Sequence, residues 1–258
     1  LDNCWLGNVI SPNTSVDSLL IFRNNNVEGY SITLQQLTGT DAGAIIVDNN
    51  YVGHITVQQA SFVSIKNNGV SSPTGYAYDF NISNSKNIIV ENNRMRYLKL
   101  QSDTLVDVLS NNIYRSQGGA GATYYGVYAV YSSDILIDSN EMNIRNTWGG
   151  YYAYARDIRI HTTRNVLVSN NILTVYSQGR VNYEGHNMGV SIENAASTNI
   201  TVKNNTITNN GGPSVRYGVY IIGGDSIYVK HNVINGTNIN KTGQGVLLQS
   251  VVQELELD

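Results

Sequence analysis

The feature that most restricts this chain is a short motif that returns nine times: an apolar, often β-branched strand, an asparagine pair, then another apolar residue. The clearest copies are V-E-N-N-R-M at Val90 to Met95, V-S-N-N-I-L at Val168 to Leu173 and V-K-N-N-T-I at Val202 to Ile207. Weaker copies begin at Phe22, Val47, Ile65, Leu109, Ile137 and Val229. The reference asparagines are Asn25, Asn50, Asn68, Asn93, Asn112, Asn140, Asn171, Asn205 and Asn232, at spacings of 25, 18, 25, 19, 28, 31, 34 and 27. Internal repeats near such periods are the mark of a solenoid, with the variation in length absorbed by loops.

Apolar residues lie three and five places before the reference asparagine, as in Ile88 and Val90 or Ile200 and Val202, and another lies two places after it, as in Met95 or Ile207. This period of two gives each strand one inward face. Asparagine suits the corner between strands because it tolerates left-handed backbone and bonds nearby peptide groups. Stacked ~4.8 Å apart, such side chains can bond one coil to the next. Asp107 falls where an inward apolar residue is expected, so a bulge or register slip is expected there. No leucine ladder, 3.6-residue period or blade-length unit is present, which excludes leucine-rich, helical and propeller repeats. The pattern predicts an all-β, single-stranded right-handed parallel β-helix of about ten coils, one domain spanning 1–258. The opening LDNCWLGNVISPN and the closing VVQELELD carry no polar cap, so a fragment, or a subunit with covered ends, is expected.

Formal charge is −3 and charged residues make up 14 %, which argues against nucleic acid as a partner. No stretch approaches the ~20 apolar residues of a membrane helix, so no membrane insertion is expected. One cysteine, Cys4, leaves no disulfide framework. His54, His161, His186 and His231 lie at unrelated repeat positions, and no metal or other cofactor is expected.

The repeated N-I-x-V-x-N-N-x-I at Asn87 to Met95, Asn165 to Leu173 and Asn199 to Ile207 resembles the parallel β-helix repeat of the pectate-lyase-like superfamily, over nearly the whole chain. That superfamily includes polysaccharide lyases, hydrolases, epimerases, phage tail spikes and adhesins. The resemblance implies three strands per coil, the asparagine corner between the second and third, and substrates along the outer face of the first strands. It does not extend to known catalytic signatures: there is no G-H-G with N-T-D, no D-P-H, and no cluster of aspartates for calcium.

Aligning the first strands gives inward pairs Ile32/Leu34, Ile55/Val57, Phe80/Ile82, Leu98/Leu100, Val127/Ala129, Ile158/Ile160, Val190/Ile192, Val219/Ile221 and Val246/Leu248. One outward column then reads Thr33, Thr56, Asn81, Lys99, Tyr128, Arg159, Ser191, Tyr220 and Leu247. The next reads Gln35, Gln58, Ser83, Gln101, Val130, His161, Glu193, Ile222 and Gln249, and its recurring glutamine supports the register. His161 and Glu193 should therefore be neighbours, with Arg159 beside them and Asp157 on the same face. The longest connections precede these strands and carry many of the tyrosines.

Catalytic candidates are His161, Glu193, Asp157 and Arg159. Glu193 would tune His161 as a base near neutral pH, with Arg159 stabilising developing charge, as a lyase requires. A glycosidase would instead use two carboxyl groups, Asp157 with Glu193, or Glu184 in place of one. The plainer alternative is a surface ion pair. Substrate-binding candidates are Lys99, Tyr128, Trp148, Tyr152, Tyr154, Tyr183, Glu184 and His186, whose rings suit sugar faces; the alternative is a tyrosine ladder or a packed interface. The expected function is binding and cleavage of a polysaccharide, as in a tail-spike depolymerase or a secreted lyase or hydrolase, outside the cell or on a virion. The alternative is a glycan-binding adhesin or structural shaft, and a homotrimer or flanking domains would suit either.

Overall fold

The computed structural model describes residues 1–4, 9–11, 14–15, 20–39, 45–69, 79–118, 122–148, 154–178, 186–210, 215–236, 244–252 and 255–257. Every strand pairing among them is parallel and joins one coil to the next, and no helix interrupts the series. Strands such as Tyr154–His161, Arg164–Ser169 and Ile172–Ser177 follow one another around a coil, and each pairs with its counterpart above and below. The chain is thus a parallel β-helix with three strand stacks around one narrow core. Both outward columns of the first strands hold across the described coils, from Thr33↔Thr56 to Tyr220↔Leu247 and from Gln35↔Gln58 to Ile222↔Gln249.

Inside, aliphatic side chains repeat at matching positions, as in Leu98, Val127, Ile158, Val190 and Val219, all fully buried. Each such side chain contributes about 1.5–3 kcal/mol of hydrophobic stabilisation. The inward assignment weakens only in the last coil, where Val246 is half-buried and Leu248 exposed.

Where a corner carries two asparagines, they divide the work. The first is exposed and left-handed, as at Asn24 (φ 54°), Asn92 (φ 53°) and Asn170 (φ 55°). The second is buried and joins a continuous ladder: Asn68 donates to Asn93 Oδ1 at 3.0 Å, Asn93 to Asn111 at 3.1 Å, and Asn111 to Asn140 at 3.0 Å. The ladder runs through Asn111 and not Asn112, which is exposed. The coil spacings on either side are therefore 18 and 29 residues. Counted from Asn111, the inward residues are Val106 and Val108, both fully buried. Asp107 points outward in unbroken register with Ile89 and Leu136, so the expected slip does not exist.

A second ladder, which the repeat did not announce, closes the corner between first and second strands. Ser85 Oγ accepts from Ala60 N (3.2 Å), Asp103 Oδ1 from Ser85 N (2.8 Å), and Ser132 Oγ from Asp103 N (3.1 Å). The leading asparagine of N-I-x-V also has a role: Asn87, Asn165 and Asn199 are left-handed at the start of the second strand.

Candidate functional site

Along the strand Tyr154–His161, alternation breaks once. Arg156 is half-buried, Asp157 and Ile158 are both buried, and Arg159 is half-buried again. Neighbouring coils carry glycine opposite Asp157: Gly126 below it, then Gly189 and Gly218 above. A Cβ on Gly126 would lie 2.7 Å from the Asp157 carbonyl oxygen, and one on Gly189 would lie 2.3 Å from Ile207 Cγ2. The backbone turns inward here and leaves little room, so glycine is favoured.

This break in alternation overturns the expectation for Asp157. Its side chain is wholly inside the core, not on the face of Arg159. Neither carboxyl oxygen makes a well-formed hydrogen bond. Burial raises its pKa well above the usual carboxylate range, and the Ile144 backbone amide only partly opposes this. Asp157 cannot pair with Glu193 across a glycosidic bond.

The same break turns Arg156 outward, which strict alternation would have placed inside. Glu193 then receives two arginines. Arg159 Nε and Nη2 donate to Glu193 Oε2 at 3.0 and 2.6 Å, and Arg156 Nη1 donates to Oε1. Arg159 Nη1 also donates to the Tyr125 hydroxyl at 3.0 Å, while its guanidinium lies 4.8 Å from the Tyr128 ring centre. Tyr125 and Tyr128 stack at 5.2 Å, and Tyr97 leans on Tyr125 at 6.4 Å. Burial works against the Arg159 charge, but Glu193 and Tyr125 more than offset it and hold its pKa above the ordinary value.

His161 lies in register with Glu193, its Nδ1 3.8 Å from Oε2, beyond hydrogen-bond reach. That nitrogen is buried and has no partner among the described residues. Burial, then the Arg159 charge, lowers the imidazole pKa below its usual value, with Glu193 opposing. The balance favours the neutral ring over the imidazolium. Tyr131 stands edge-on to it at 6.2 Å and is 61 % exposed.

Lys99 sits one coil below Tyr128 in the same outward column. Tyr154 opens the strand that carries Arg156 and Arg159, opposite Thr123. Trp148 is exposed on the connection after Glu141–Asn146, its backbone N–H bonded to Asn146 Oδ1 (3.1 Å). Tyr152, Tyr183, Glu184 and the side chain of His186 lie outside the described residues. Tyr124 and Tyr125, read from the sequence as part of a connection, belong to the strand Thr123–Val130. Among the described residues, no group of three or more histidines, cysteines or carboxylates could hold a metal.

Arg156 and Tyr131 are the members of this cluster that sequence reasoning missed. The signal for Arg156 was available: Gly126, Gly189 and Gly218 each stand just before the first residue of an inward pair. Tyr131 carried no comparable signal, because its corner position is filled elsewhere by Gln36, Gln59, Asn84 or Ser102.

A family described as right handed beta helix region matches residues 54–234. Among solved structures, the A-module of a mannuronan C-5 epimerase of Azotobacter vinelandii superposes with TM-score 0.41 at 15 % identity, covering 99 % of this chain and 83 % of that one. PfbA, a surface adhesin of Streptococcus pneumoniae, gives TM-score 0.48 at 11 % identity, with 93 % and 73 % covered. The catalytic domain of a GH87 alpha-1,3-glucanase in complex with nigerose gives 0.31 at 14 % identity, with 96 % and 59 % covered. No curated protein sequence matches the chain.

Proposed function

Since the chain belongs to the right-handed β-helix family, we propose that the outer face of its first-strand sheet binds polysaccharide around Arg159, Glu193, His161 and Tyr131. The observation that carries this reading is the convergence of a charged hydrogen-bonding array with ring faces on one side of the sheet. Sugar hydroxyls both donate and accept, so a carboxylate beside guanidinium groups can serve them, while aromatic faces cover the apolar side of the sugar. Tyr131 and His161 form the solvent-facing edge of this array. A ligand of this kind would be met outside the cell or on a virion surface.

A second reading, cleavage by elimination, is favoured by one specific observation. The surroundings of His161 favour its neutral form, and its buried Nδ1 has no hydrogen-bond partner beside Arg159, a pairing of base and cation that elimination requires. Hydrolysis by paired carboxyl groups is disfavoured, because Asp157 is interior and Glu193 is held by two arginines. A purely binding role, as adhesin or shaft, leaves the same face in use without chemistry.

Binding to an immobilised polysaccharide panel, with release of unsaturated uronate followed in parallel, tests both readings. Tyr131→Ala should weaken binding about tenfold without loss of folding. His161→Ala should abolish any uronate release. Wild-type affinity retained by both variants would remove the assignment of this face.

A further inference from the structure

The coils change size below this face. The third strand is two residues long at Arg94–Met95 and six at Asn112–Gln117 in the next coil. Their pairing covers only Arg94↔Asn112 and Met95↔Ile113, so the strand pairing below stops before Tyr114 and Arg115. Arg115 occupies the position that Ile144 and Val175 fill in the following coils, and both of those are core residues. A cation has replaced an aliphatic side chain at a position where the strand below has already ended.

Aromatic rings flank this cation. The Arg115 guanidinium lies 4.2 Å from the Tyr124 ring centre and 6.0 Å from that of Tyr97. Its Nε is buried without an acceptor, and no carboxylate pairs with it among the described residues. Arg96 lies close enough that, after burial, its charge is the next cause lowering the Arg115 pKa. Arg96 approaches Asp79, Nε to Oδ1 3.4 Å, but that nitrogen also makes no hydrogen bond. Two guanidinium groups thus lie near one carboxylate, Asp79, which pairs with Arg96 and not with Arg115. A guanidinium held by its face against a ring keeps its edge donors free for a planar or tetrahedral anion.

We propose that Arg115 and Arg96, walled by Tyr97 and Tyr124, bind an anionic group, the carboxylate or sulfate of an acidic sugar. The sugar as its carrier rests on the polysaccharide reading above; the anion chemistry does not. The site would select acidic over neutral glycans.

Two measurements on the full chain test this. The first is thermal denaturation in sodium sulfate against sodium chloride at equal ionic strength. Sulfate stabilises proteins generally by exclusion from their surface, so the readout is the difference between wild type and variant. Arg115→Gln should lose part of the sulfate shift, and Arg96→Gln serves in its place if the first variant does not fold. The second is calorimetry with oligogalacturonate and its methyl ester. Wild type should prefer the acid by about tenfold, as expected for one charge-assisted contact, and Arg115→Gln should remove most of that preference. An equal sulfate shift in wild type and both variants, with the preference for acid unchanged, overturns the proposal. Loss of the sulfate shift without binding of either oligosaccharide keeps the anion site and removes the polysaccharide reading instead.

Discussion

Glu193 stands directly beside His161 in the next coil, yet its hydrogen bonds go to Arg156 and Arg159 and not to the imidazole. The pair is close enough for electrostatic influence, 3.8 Å at Nδ1, while each group keeps a separate task. Glu193 fixes two guanidinium groups, and His161 keeps a buried ring nitrogen without a hydrogen-bond partner. The roles should separate on mutation.

Glu193→Gln leaves two largely covered cations without their counter-charge, since the arginine side chains are only 14 % and 20 % exposed. Stability should fall by about 1–3 kcal/mol, readable as a lower denaturation midpoint. His161→Ala should change that midpoint little and act on ligand binding or uronate release. Equal loss of stability in both variants would show that the histidine is structural.

Asp157 should make stability depend on pH. Burial raises its folded pKa well above the unfolded value of about 3.9. Its contribution is therefore complete below about pH 4 and lost as pH rises through the folded value. Asparagine mimics the neutral form, so Asp157→Asn should match wild type near pH 4 and exceed it by about 1–3 kcal/mol at pH 8. Urea denaturation at the two pH values measures this; a gap that does not change with pH contradicts it.

Asp103 should act the same way in a narrower window. Burial, only partly opposed by the Ser85 and Gln101 amides, raises its pKa to about 7. Its stabilising contribution is lost between about pH 4 and pH 7. Asp103→Ser copies the residue found at this corner in neighbouring coils, Ser85 and Ser132, and should remove that slope. The balance should shift by about 1–3 kcal/mol in favour of the variant across the window.

The buried corner ladder should be far less tolerant than its exposed partner. Asn140 donates to Val108 O (2.9 Å), Asp138 O (3.0 Å) and Asn171 Oδ1 (3.0 Å), and accepts from Asn111. Asn140→Ala strands these groups inside and should cost about 2–4 kcal/mol. Asn170→Gly keeps the left-handed backbone and should change stability by under about 1 kcal/mol, losing chiefly the bond to Asp138. Comparable losses in the two variants would argue against this division of labour.

The fold was legible in the sequence because its cause is local and repeated. Alternating aliphatic residues set the inward face, and an asparagine corner in each coil sets the register, so Tyr128, Arg159 and Ser191 could be aligned as one column before any coordinates. Even the error at Asn112 was one residue wide, because two adjacent asparagines compete for one buried place and only packing selects Asn111. The candidate site was legible only where alternation holds, as for His161 beside Glu193. What the tertiary structure decided, with only the glycines before the inward pairs as a trace of it in the sequence, is the break in alternation opposite Gly126 and Gly189, which sends Asp157 inside and Arg156 out. The shortened third strand that leaves Arg115 without a strand partner in the coil below is of the same kind. Both depend on how much room the adjacent coil leaves, a property of two segments tens of residues apart that neither segment states alone.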